Sequence, residues 1–219
     1  MRHFSFIALL SLALGLNSCQ QPSQAPQASA VDQDVIALIE DIPTTQAFLQ
    51  DLVDSQDVTR ILNAGINAPR AINKQDWHFS AVTDKSVLEQ IAGEMSAGPR
   101  PGGPTPGASA PAKAGIASAP LAIIVSCGEG YDLNAGLATQ NMSVVAQMLG
   151  YGTKIIASPS MVINGEKKDE YKKILGIPES MSMVAVLLVG KTDTGGFDAA
   201  TMATPRKDFG ELVSFVGAK

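Results

Sequence analysis

The sequence predicts an α/β or α+β domain whose helices cover a central sheet, and three observations indicate this class. Two continuous apolar runs, Leu121–Cys127 and residues 183–189, have the length of strands that are covered on both faces. Between and before them lie segments with helical spacing of apolar residues and with capping side chains. The hydrophobic fraction of 45% in 219 residues is enough for a large buried core.

The first 30 residues are predicted to be an export signal and a tether. Arg2 and His3 precede an apolar run of 13 residues, which is too short to span a bilayer and typical of a secretory signal. Cys19 follows Leu16-Asn17-Ser18, which resembles a bacterial lipobox, in which the cysteine thiol receives a diacylglycerol. We expect a signal peptide at residues 1–18, a lipid anchor on Cys19 in the cell envelope (periplasmic or outer-membrane side), and a flexible tether at residues 19–30. An ordinary signal peptide is the alternative.

Composition excludes several classes of function. The formal net charge is −5, from 16 Lys+Arg against 21 Asp+Glu, so the chain has no overall attraction for nucleic acid. The chain has two histidines and two cysteines, and lipidation of Cys19 leaves Cys127 as the single thiol. We therefore expect neither an intramolecular disulfide nor a metal site built from His and Cys.

The first half of the domain, predicted over residues 31–219, begins with two helices and a strand. Residues 31–41 are predicted to form a short helix, and Ser55 is the predicted N-cap of a second helix. Its apolar face consists of Val58, Ile61, Leu62 and Ile66. Residues 77–83 alternate like a half-buried strand, and Asp84 caps a helix whose apolar face consists of Val87, Leu88, Ile91, Ala92 and Met95. A Pro/Gly-rich loop follows at residues 96–119.

The second half contains the two apolar strands and the longest helix. Asp132 is the predicted cap of that helix, which ends at Gly150, and the predicted inward face consists of Leu133, Leu137, Val144, Val145 and Met148. A short strand at 154–157, a charged helix at 166–175 and a terminal helix at 208–216 complete the elements. Because helices and strands interleave, helices are expected to cover the sheet.

Two motifs favour no catalytic assignment. Gly128-Glu129-Gly130 follows a buried strand, but Leu133 occupies the third glycine position of a dinucleotide fingerprint, so we interpret it as a strand-to-helix turn. His78 lies between Trp77 and Phe79 on a strand, and no G-x-S-x-G motif surrounds a serine. A packed or surface role is therefore expected for His78. No acid–base or nucleophilic side chain is predicted to be catalytic.

The segment Ala68-Pro69-Arg70-Ala71-Ile72-Asn73-Lys74-Gln75-Asp76-Trp77 is more specific. It resembles the Ala-Pro-Ser-x-x-Asn-x-Gln-Pro-Trp signature of FMN-dependent nitroreductases. Further pieces follow in the order of that family: Ala119-Pro120, Gln140-Asn141-Met142, Met148-Leu149-Gly150-Tyr151-Gly152-Thr153, Leu175-Gly176-Ile177-Pro178-Glu179 and Pro205-Arg206-Lys207. The resemblance extends over residues 31–215.

The resemblance implies a three-layer α/β/α fold of the α+β class, with a central mixed sheet covered by helices, and FMN as the cofactor. Asn73 would bond the isoalloxazine edge, with Gln75 orienting the loop and the backbone of Pro69 and Arg70 lining the ring. The turn at Ser158 and Pro159 would add backbone contacts. Arg206 and Lys207 would hold the phosphate, Arg206 bidentately; a solvated helix start is the alternative for this pair.

This sequence departs from the family pattern at two places. Family members open with an Arg-Arg-Ser-x-Arg stretch that clamps the phosphate and ribityl chain, and residues 42–48 here contain no basic residue. Charge-assisted hydrogen bonds contribute roughly 1.5–3 kcal/mol each. Losing two would weaken FMN binding about 10²–10⁴-fold unless other residues replace them. Arg70 stands where the family has serine, and we expect it to supply part of this charge.

We therefore predict an envelope-anchored FMN-dependent oxidoreductase that reduces nitroaromatic or quinone-like acceptors by two electrons through flavin N5. A location outside the cytoplasm gives little access to NAD(P)H, which argues against the family's usual donor. The resemblance also implies a homodimer, and we expect the long helix from Asp132 to Leu149 at its centre because its apolar residues occupy more than one face. Two rival interpretations are a non-enzymatic lipoprotein with a degenerate nitroreductase fold that binds a ligand or partner, and an unrelated nucleotide-binding domain.

Overall fold

The computed structural model describes residues 35–37, 39–40, 44–97, 115–192 and 207–217. The predicted signal peptide at 1–18, Cys19, the tether at 19–30 and most of the Pro/Gly-rich loop at 96–119 lie outside these ranges. Residues 35–37 and 39–40 are helical, as expected for the helix predicted at 31–41.

Four strands form one sheet in the order β1-β2-β4-β3. They are β1 Trp77–Val82, β2 Leu121–Cys127, β3 Gly152–Ile156 and β4 Ser182–Gly190. Every residue of the central strand β2 is buried, as its continuous apolar run predicted. All pairings among the described strands are antiparallel. The sequence led us to expect a mixed sheet, which needs at least one parallel pair, and the described strands contain none.

Besides the helical residues 35–37 and 39–40, the described ranges contain six helices, together with 3₁₀ turns at Ala71–Asn73 and Ile116–Ser118. The helices are α1 Ser55–Ile66, α2 Lys85–Ala97, α3 Asp132–Met148, α4 Ser160–Ile163, α5 Lys168–Leu175 and α6 Phe209–Leu212. The Asp84 carboxylate accepts from the Ser86 backbone N–H at 2.9 Å, which confirms the predicted cap of α2. No helix in these ranges is both long and apolar enough to cross a membrane.

Several predicted boundaries were wrong: the charged helix predicted at 166–175 begins at Lys168, and the strand predicted at 154–157 spans Gly152–Ile156. The N-cap of α1 is Asp54, not Ser55, because the carboxylate of Asp54 accepts from the Gln56 N–H at 2.8 Å. Helix α3 begins at Asp132 itself after Tyr131, which makes no side-chain capping bond. The terminal helix predicted at 208–216 is confined to Phe209–Leu212.

Helices cover both faces of the sheet, which confirms the three-layer arrangement. On one face, α2, α4 and α5 pack against alternate residues of the central strands, including Ala122, Ile124, Val186 and Leu188. On the other face, α1 and α3 pack against Leu121, Ile123, Val125, Leu187 and Val189. Each central strand therefore contributes alternate side chains to two separate cores.

The predicted inward face of α3 was wrong for most of its residues, although Val145 packs against the core. Leu133 and Met148 are 75% and 52% exposed, and Leu137 is also exposed. The face toward the core carries mostly small or polar side chains: Asn134, Ala135, Ala138, Thr139, Met142, Ser143, Ala146 and Gln147. The Thr153 hydroxyl of β3 lies 2.9 Å from the Ser143 hydroxyl and accepts from the Gln147 amide at 2.6 Å. Small residues and this buried polar contact let α3 approach the sheet closely, which leaves its large apolar residues outside.

Candidate functional site

One end of the sheet gathers the segments that the sequence singled out. Trp77 at the start of β1 pairs with Cys127 at the end of β2, which pairs with Ser182 at the start of β4. The loop before β1 (residues 68–76), the turn after β2 and the turn after β3 (residues 157–159) all lie toward this end. Because β1 and β3 are the two edges of a four-stranded sheet, the loop and the last turn are separated by three strand spacings, about 14 Å.

The loop at residues 68–76 is closed by the side chain of Arg70. Arg70 Nε donates to Asn73 Oδ1 at 2.9 Å, and Arg70 Nη1 donates to the carbonyl oxygen of Ala68 at 3.3 Å. Ala68 is fully buried, whereas Asn73 is exposed. The guanidinium thus links the buried start of the loop to its exposed tip.

The tip of this loop has a strained backbone. Ile72 and Asn73 have φ of 44° and 57°, and they are the two non-glycine residues with positive φ in the described ranges. A β-branched residue rarely adopts this conformation, and such strain is of order 1–3 kcal/mol per residue. The Ile72 side chain is 90% exposed, so burial does not compensate for the strain. Strain of this kind persists where neighbouring contacts hold the backbone, and it often marks a binding loop.

Asn134, in the first turn of α3, supports the loop from below. Its Oδ1 accepts from the backbone N–H of Ala71 at 3.3 Å. The side chain is buried, and its Nδ2 has no hydrogen-bond partner among the described residues. An orphaned buried amide donor costs about 1–3 kcal/mol, so a ligand acceptor at this position would relieve the penalty. The sequence analysis does not identify Asn134, whose signal is a polar residue on the small-residue face of α3.

Two contacts fix the base of the loop to the turn after β2. The ammonium of Lys74 lies 5.2 Å from the centre of the Tyr131 ring, within cation–π range. A side chain at Gly128 would meet the carboxylate of Asp76, so glycine at this position lets that carboxylate lie close to the turn. This packing role replaces the dinucleotide-binding role that a Gly128 fingerprint would have implied.

The other predicted residues lie at separate places. Pro69 and Gln75 are exposed in the same loop as Arg70 and Asn73. Ser158 is exposed and Pro159 buried in the turn after β3, where the Ser158 carbonyl accepts from the Met161 N–H at 3.2 Å. Lys207 lies on an exposed segment, with its Nζ 3.9 Å from Glu211 Oε2. Arg206 lies outside the described residues.

Lys154 places a cation beside the stretch at residues 42–48, where the family pattern has arginines and this sequence has no basic residue. Thr45 donates its backbone N–H to Thr153 of β3 at 2.9 Å, so the segment at residues 44–48 runs beside that strand. Lys154 Nζ donates to Gln46 Oε1 at 3.0 Å in a partly buried contact. Sequence reasoning missed Lys154, although a single basic residue in the strand Gly152–Ile156 was a usable signal.

The site offers hydrogen-bond donors rather than a nucleophile or a metal centre. Burial, with the nearby carboxylates of Asp132 and Asp76, raises the pKa of Cys127 to about 11, so its thiol stays protonated at neutral pH. His78 is half-buried on β1, pointing to a packing role. The described ranges contain no group of three or more His, Cys, Asp or Glu residues that could hold a metal ion. The arrangement suits a ligand that carries its own chemistry.

Comparison with known proteins identifies relatives of this chain. The model of the nitroreductase family matches residues 43–191. A candidate NADH dehydrogenase/NAD(P)H nitroreductase of Archaeoglobus fulgidus is 27% identical over 138 residues, which is 63% of this chain and 74% of that protein.

Solved structures show the same fold at low sequence identity. A nitroreductase with bound FMN from Bacteroides fragilis superposes with a TM-score of 0.66 at 20% identity, over 84% of this chain and 99% of that chain. An FMN-dependent nitroreductase from Clostridium difficile superposes with a TM-score of 0.66 at 22% identity, over 84% of this chain and 100% of that chain. These likenesses confirm the expected fold.

Proposed function

This chain belongs to the nitroreductase family, and on that basis we propose that it is an FMN-dependent oxidoreductase. The observation that carries the proposal is the loop at residues 68–76, which carries the family-like motif and presents Asn73 at its tip with the side-chain amide held by Arg70. When bound, FMN would accept two electrons at N5 and pass them to an acceptor. The protein residues would bind and orient the ring.

The donors near the loop fit the acceptor edge of a flavin. An oxidised isoalloxazine ring offers carbonyl oxygens and ring nitrogens as acceptors, and it needs amide donors beside them. Asn73 Nδ2 and the orphaned Asn134 Nδ2 are two such donors near one loop. We assign Asn73 to the ring edge, and the backbone of Pro69, Arg70, Ser158 and Pro159 to lining the ring.

Neutralisation of the phosphate requires cations, because a buried unpaired dianion is strongly unfavourable. We assign this role to Arg206 and Lys207, as the family resemblance implies, and add Lys154. Its ammonium bonds Gln46 within the stretch that holds arginines in other family members. One charge-assisted contact contributes about 1.5–3 kcal/mol, so Lys154 would offset part of their loss.

We further propose a homodimer. Leu133, Leu137 and Met148 form an exposed apolar stripe along α3, where a large unpaired apolar surface indicates an interface. The segment at residues 207–217 is exposed throughout and carries five large apolar side chains: Phe209, Leu212, Val213, Phe215 and Val216. A second copy of the chain would cover both surfaces through a two-fold interface.

We also propose that the enzyme is anchored in the cell envelope through a diacylglycerol on Cys19 and reduces nitroaromatic or quinone-like acceptors by two electrons. The support is the lipobox-like sequence before Cys19 and the family chemistry. Conversion of Cys19 to Ala should release the protein to a soluble fraction or block its processing. Unchanged membrane retention of that variant would contradict the anchor.

The decisive experiment for the cofactor is FMN binding to the full chain, extracted in mild detergent. We expect a yellow protein with the visible absorption bands of oxidised flavin, and quenching of FMN fluorescence with a dissociation constant below about 10 µM. Reduction by dithionite and reoxidation by a quinone would show that the bound flavin cycles between its reduced and oxidised forms.

A non-enzymatic lipoprotein with a degenerate site is the second candidate. Two observations favour it: residues 42–48 contain no basic residue, and two donors of Arg70 are engaged within the loop. A wild-type chain that fails to bind FMN at tens of micromolar would support this alternative against the oxidoreductase.

A further inference from the structure

We propose that Arg70 is a positioning residue for the flavin: it holds the carbonyl end of the Asn73 side chain, so that Asn73 meets the ring as a hydrogen-bond donor. This inference rests on the proposed FMN binding and deepens it. It assigns a specific function to an arginine at a position where the family signature has serine.

The chemistry of arginine fixes the orientation of the Asn73 amide. A guanidinium has only donors, so the group that it meets must be an acceptor. Arg70 Nε lies 2.9 Å from Asn73 Oδ1, and a flipped amide would bring two donors together. Asn73 therefore keeps Nδ2 as its free end, and its ligand must offer an acceptor.

The second bond of Arg70 gives the arrangement its rigidity. Nη1 donates to the carbonyl of Ala68, a fully buried residue that follows the end of α1. The planar guanidinium thus joins a fixed point of the fold to Asn73 at the loop tip. A serine side chain is too short to bridge both groups. Because Ile72 and Asn73 are both left-handed, this bridge also holds a backbone that would otherwise relax.

The bridge should affect reduced flavin more than oxidised flavin. A charge-assisted contact polarises the Asn73 amide, which strengthens the bond that its Nδ2 donates. Two-electron reduction places more negative charge on the acceptor edge of the ring, so this donor stabilises the reduced form preferentially. Arg70 should therefore raise the midpoint potential of bound FMN.

This geometry favours orientation over phosphate neutralisation as the role of Arg70. Two of its donors are used within the loop, at Asn73 and Ala68. The phosphate then depends on other cations, which keeps the two halves of the cofactor site independent in a mutational test.

The test compares Arg70→Ser, Arg70→Lys, Asn73→Ala and the double variant Arg70→Ser/Asn73→Ala in the full chain. Arg60→Ser is the matched control, because Arg60 is an exposed arginine on α1 that pairs with Asp57. The readouts are the FMN dissociation constant, the visible spectrum and the midpoint potential from a dye-coupled reductive titration. None of these depends on the acceptor substrate.

We expect Arg70→Ser to weaken oxidised FMN binding about 10-fold and reduced FMN about 100-fold. That tenfold difference corresponds to a midpoint potential about 30 mV lower for a two-electron couple. Asn73→Ala should give at least the same shift, the double variant no more than Asn73→Ala, and Arg60→Ser none. Arg70→Lys keeps the positive charge and an N–H donor group but lacks the planar fork that reaches Asn73 and Ala68 together, so it should fall between wild type and Arg70→Ser.

An unchanged potential and spectrum in Arg70→Ser would overturn the inference, as would a further shift when Arg70→Ser is added to Asn73→Ala. If Arg70→Ser does not fold, Arg70→Lys decides, since a potential equal to that of wild type overturns the inference equally. Failure of the wild-type chain to bind FMN would overturn the proposed function and this inference together. Wild-type binding with an indifferent Arg70 would overturn the inference alone.

Discussion

The loop at residues 68–76 and the segment at residues 207–217 differ in whether contacts from the same chain hold them in place. In the loop, side chains from the same chain hold a strained backbone: Arg70 links Asn73 to Ala68, and Asn134 accepts from Ala71. In the terminal segment every residue is exposed, and the contacts described are internal, such as the Phe209–Phe215 ring pair at 6.3 Å.

The difference separates two requirements of a flavin site. The contacts that we propose to orient the ring edge lie within one chain, so they should survive in a monomer. The apolar side chains of the terminal segment find no cover in the described part of their own chain, so we expect them to act in an assembly. Dimer contacts and cofactor orientation should therefore respond to different mutations.

The largest expected effect is on the assembly. Replacing Phe209 and Phe215 by Asp should raise the dimer dissociation constant at least about 10³-fold, because each buried Phe contributes about 1.5–3 kcal/mol and the dimer contains four of them. Analytical ultracentrifugation of the detergent-extracted chain measures this. Ser214→Asp adds a charge in the same segment without removing an apolar side chain and serves as control. A wild-type chain that is monomeric at low micromolar concentration would contradict the proposal that the terminal segment acts in a dimer.

The next effect concerns the reactivity of Cys127, at the end of the sheet that carries the loop at residues 68–76. Cys127 pairs with Trp77, directly after the loop, and its pKa is raised from 9.0 to about 11 by burial and by Asp132 and Asp76. At pH 8 its thiolate population should be about 100-fold lower than in an unfolded chain. Alkylation of the Cys127 peptide by iodoacetamide, followed by mass spectrometry, should be slower by at least that factor without urea than with it.

The sign of the linked stability follows from the same shift. Because the folded-state pKa of Cys127 is raised, its contribution to stability is complete below pH 9 and is lost as the pH rises toward 11. Urea titrations of wild type and Cys127→Ala should therefore converge over this range. Equal alkylation rates in folded and unfolded chains would mean that this end of the sheet is open.

A smaller effect tests the cations. Lys154→Met should raise the FMN dissociation constant about 10–100-fold, because one charge-assisted contact is lost, and Arg206→Ala should act similarly. The spectrum of bound FMN should change little in either variant, in contrast to Asn73→Ala. Lys85→Met is the control, since Lys85 lies exposed at the start of α2 and pairs with Glu89. Unchanged affinity in Lys154→Met would remove Lys154 from the site.

The strands were predictable because their composition leaves one solution. Leu121–Cys127 has the predicted bounds, since a run of seven apolar or small residues fits a strand buried on both faces. The orientation of helix α3 could not be predicted, because apolar residues lie on two of its faces. Periodicity alone cannot distinguish the face that packs on the sheet from a face that packs on another surface. The small residues Ala135, Ala138 and Ala146, which allow close approach, were the better guide.

The sequence singled out candidate site residues, but it did not indicate the contacts among them. The motif at residues 68–77 identified Asn73, yet nothing in it indicates that Arg70 bonds Asn73 Oδ1. Positive φ at Ile72 runs against the preference of a β-branched residue, so local propensity predicts the opposite. Lys154 approaches Gln46 across more than a hundred residues of chain, a distance in sequence at which patterns carry no information.

The smallest effect, Ile72→Gly, isolates the strain of the loop from its bonds. Glycine adopts positive φ freely, which relieves about 1–2 kcal/mol, while its greater freedom in the unfolded chain costs about 0.5–1 kcal/mol. The net gain of about 0.5–1 kcal/mol should raise Tm by about 1–4 °C in differential scanning calorimetry. Ile174→Gly, at an exposed position of α5 with ordinary helical geometry, should lower Tm instead.

The same glycine should weaken FMN binding a few-fold although it stabilises the fold, because a freer backbone holds Asn73 less firmly against the ring. Opposite changes in Tm and affinity would identify the strain as preorganisation for the ligand. A lower Tm in Ile72→Gly would show instead that the exposed Ile72 side chain is covered in the assembled protein. The loop would then depend on a second copy of the chain for its cover, as we expect for the terminal segment.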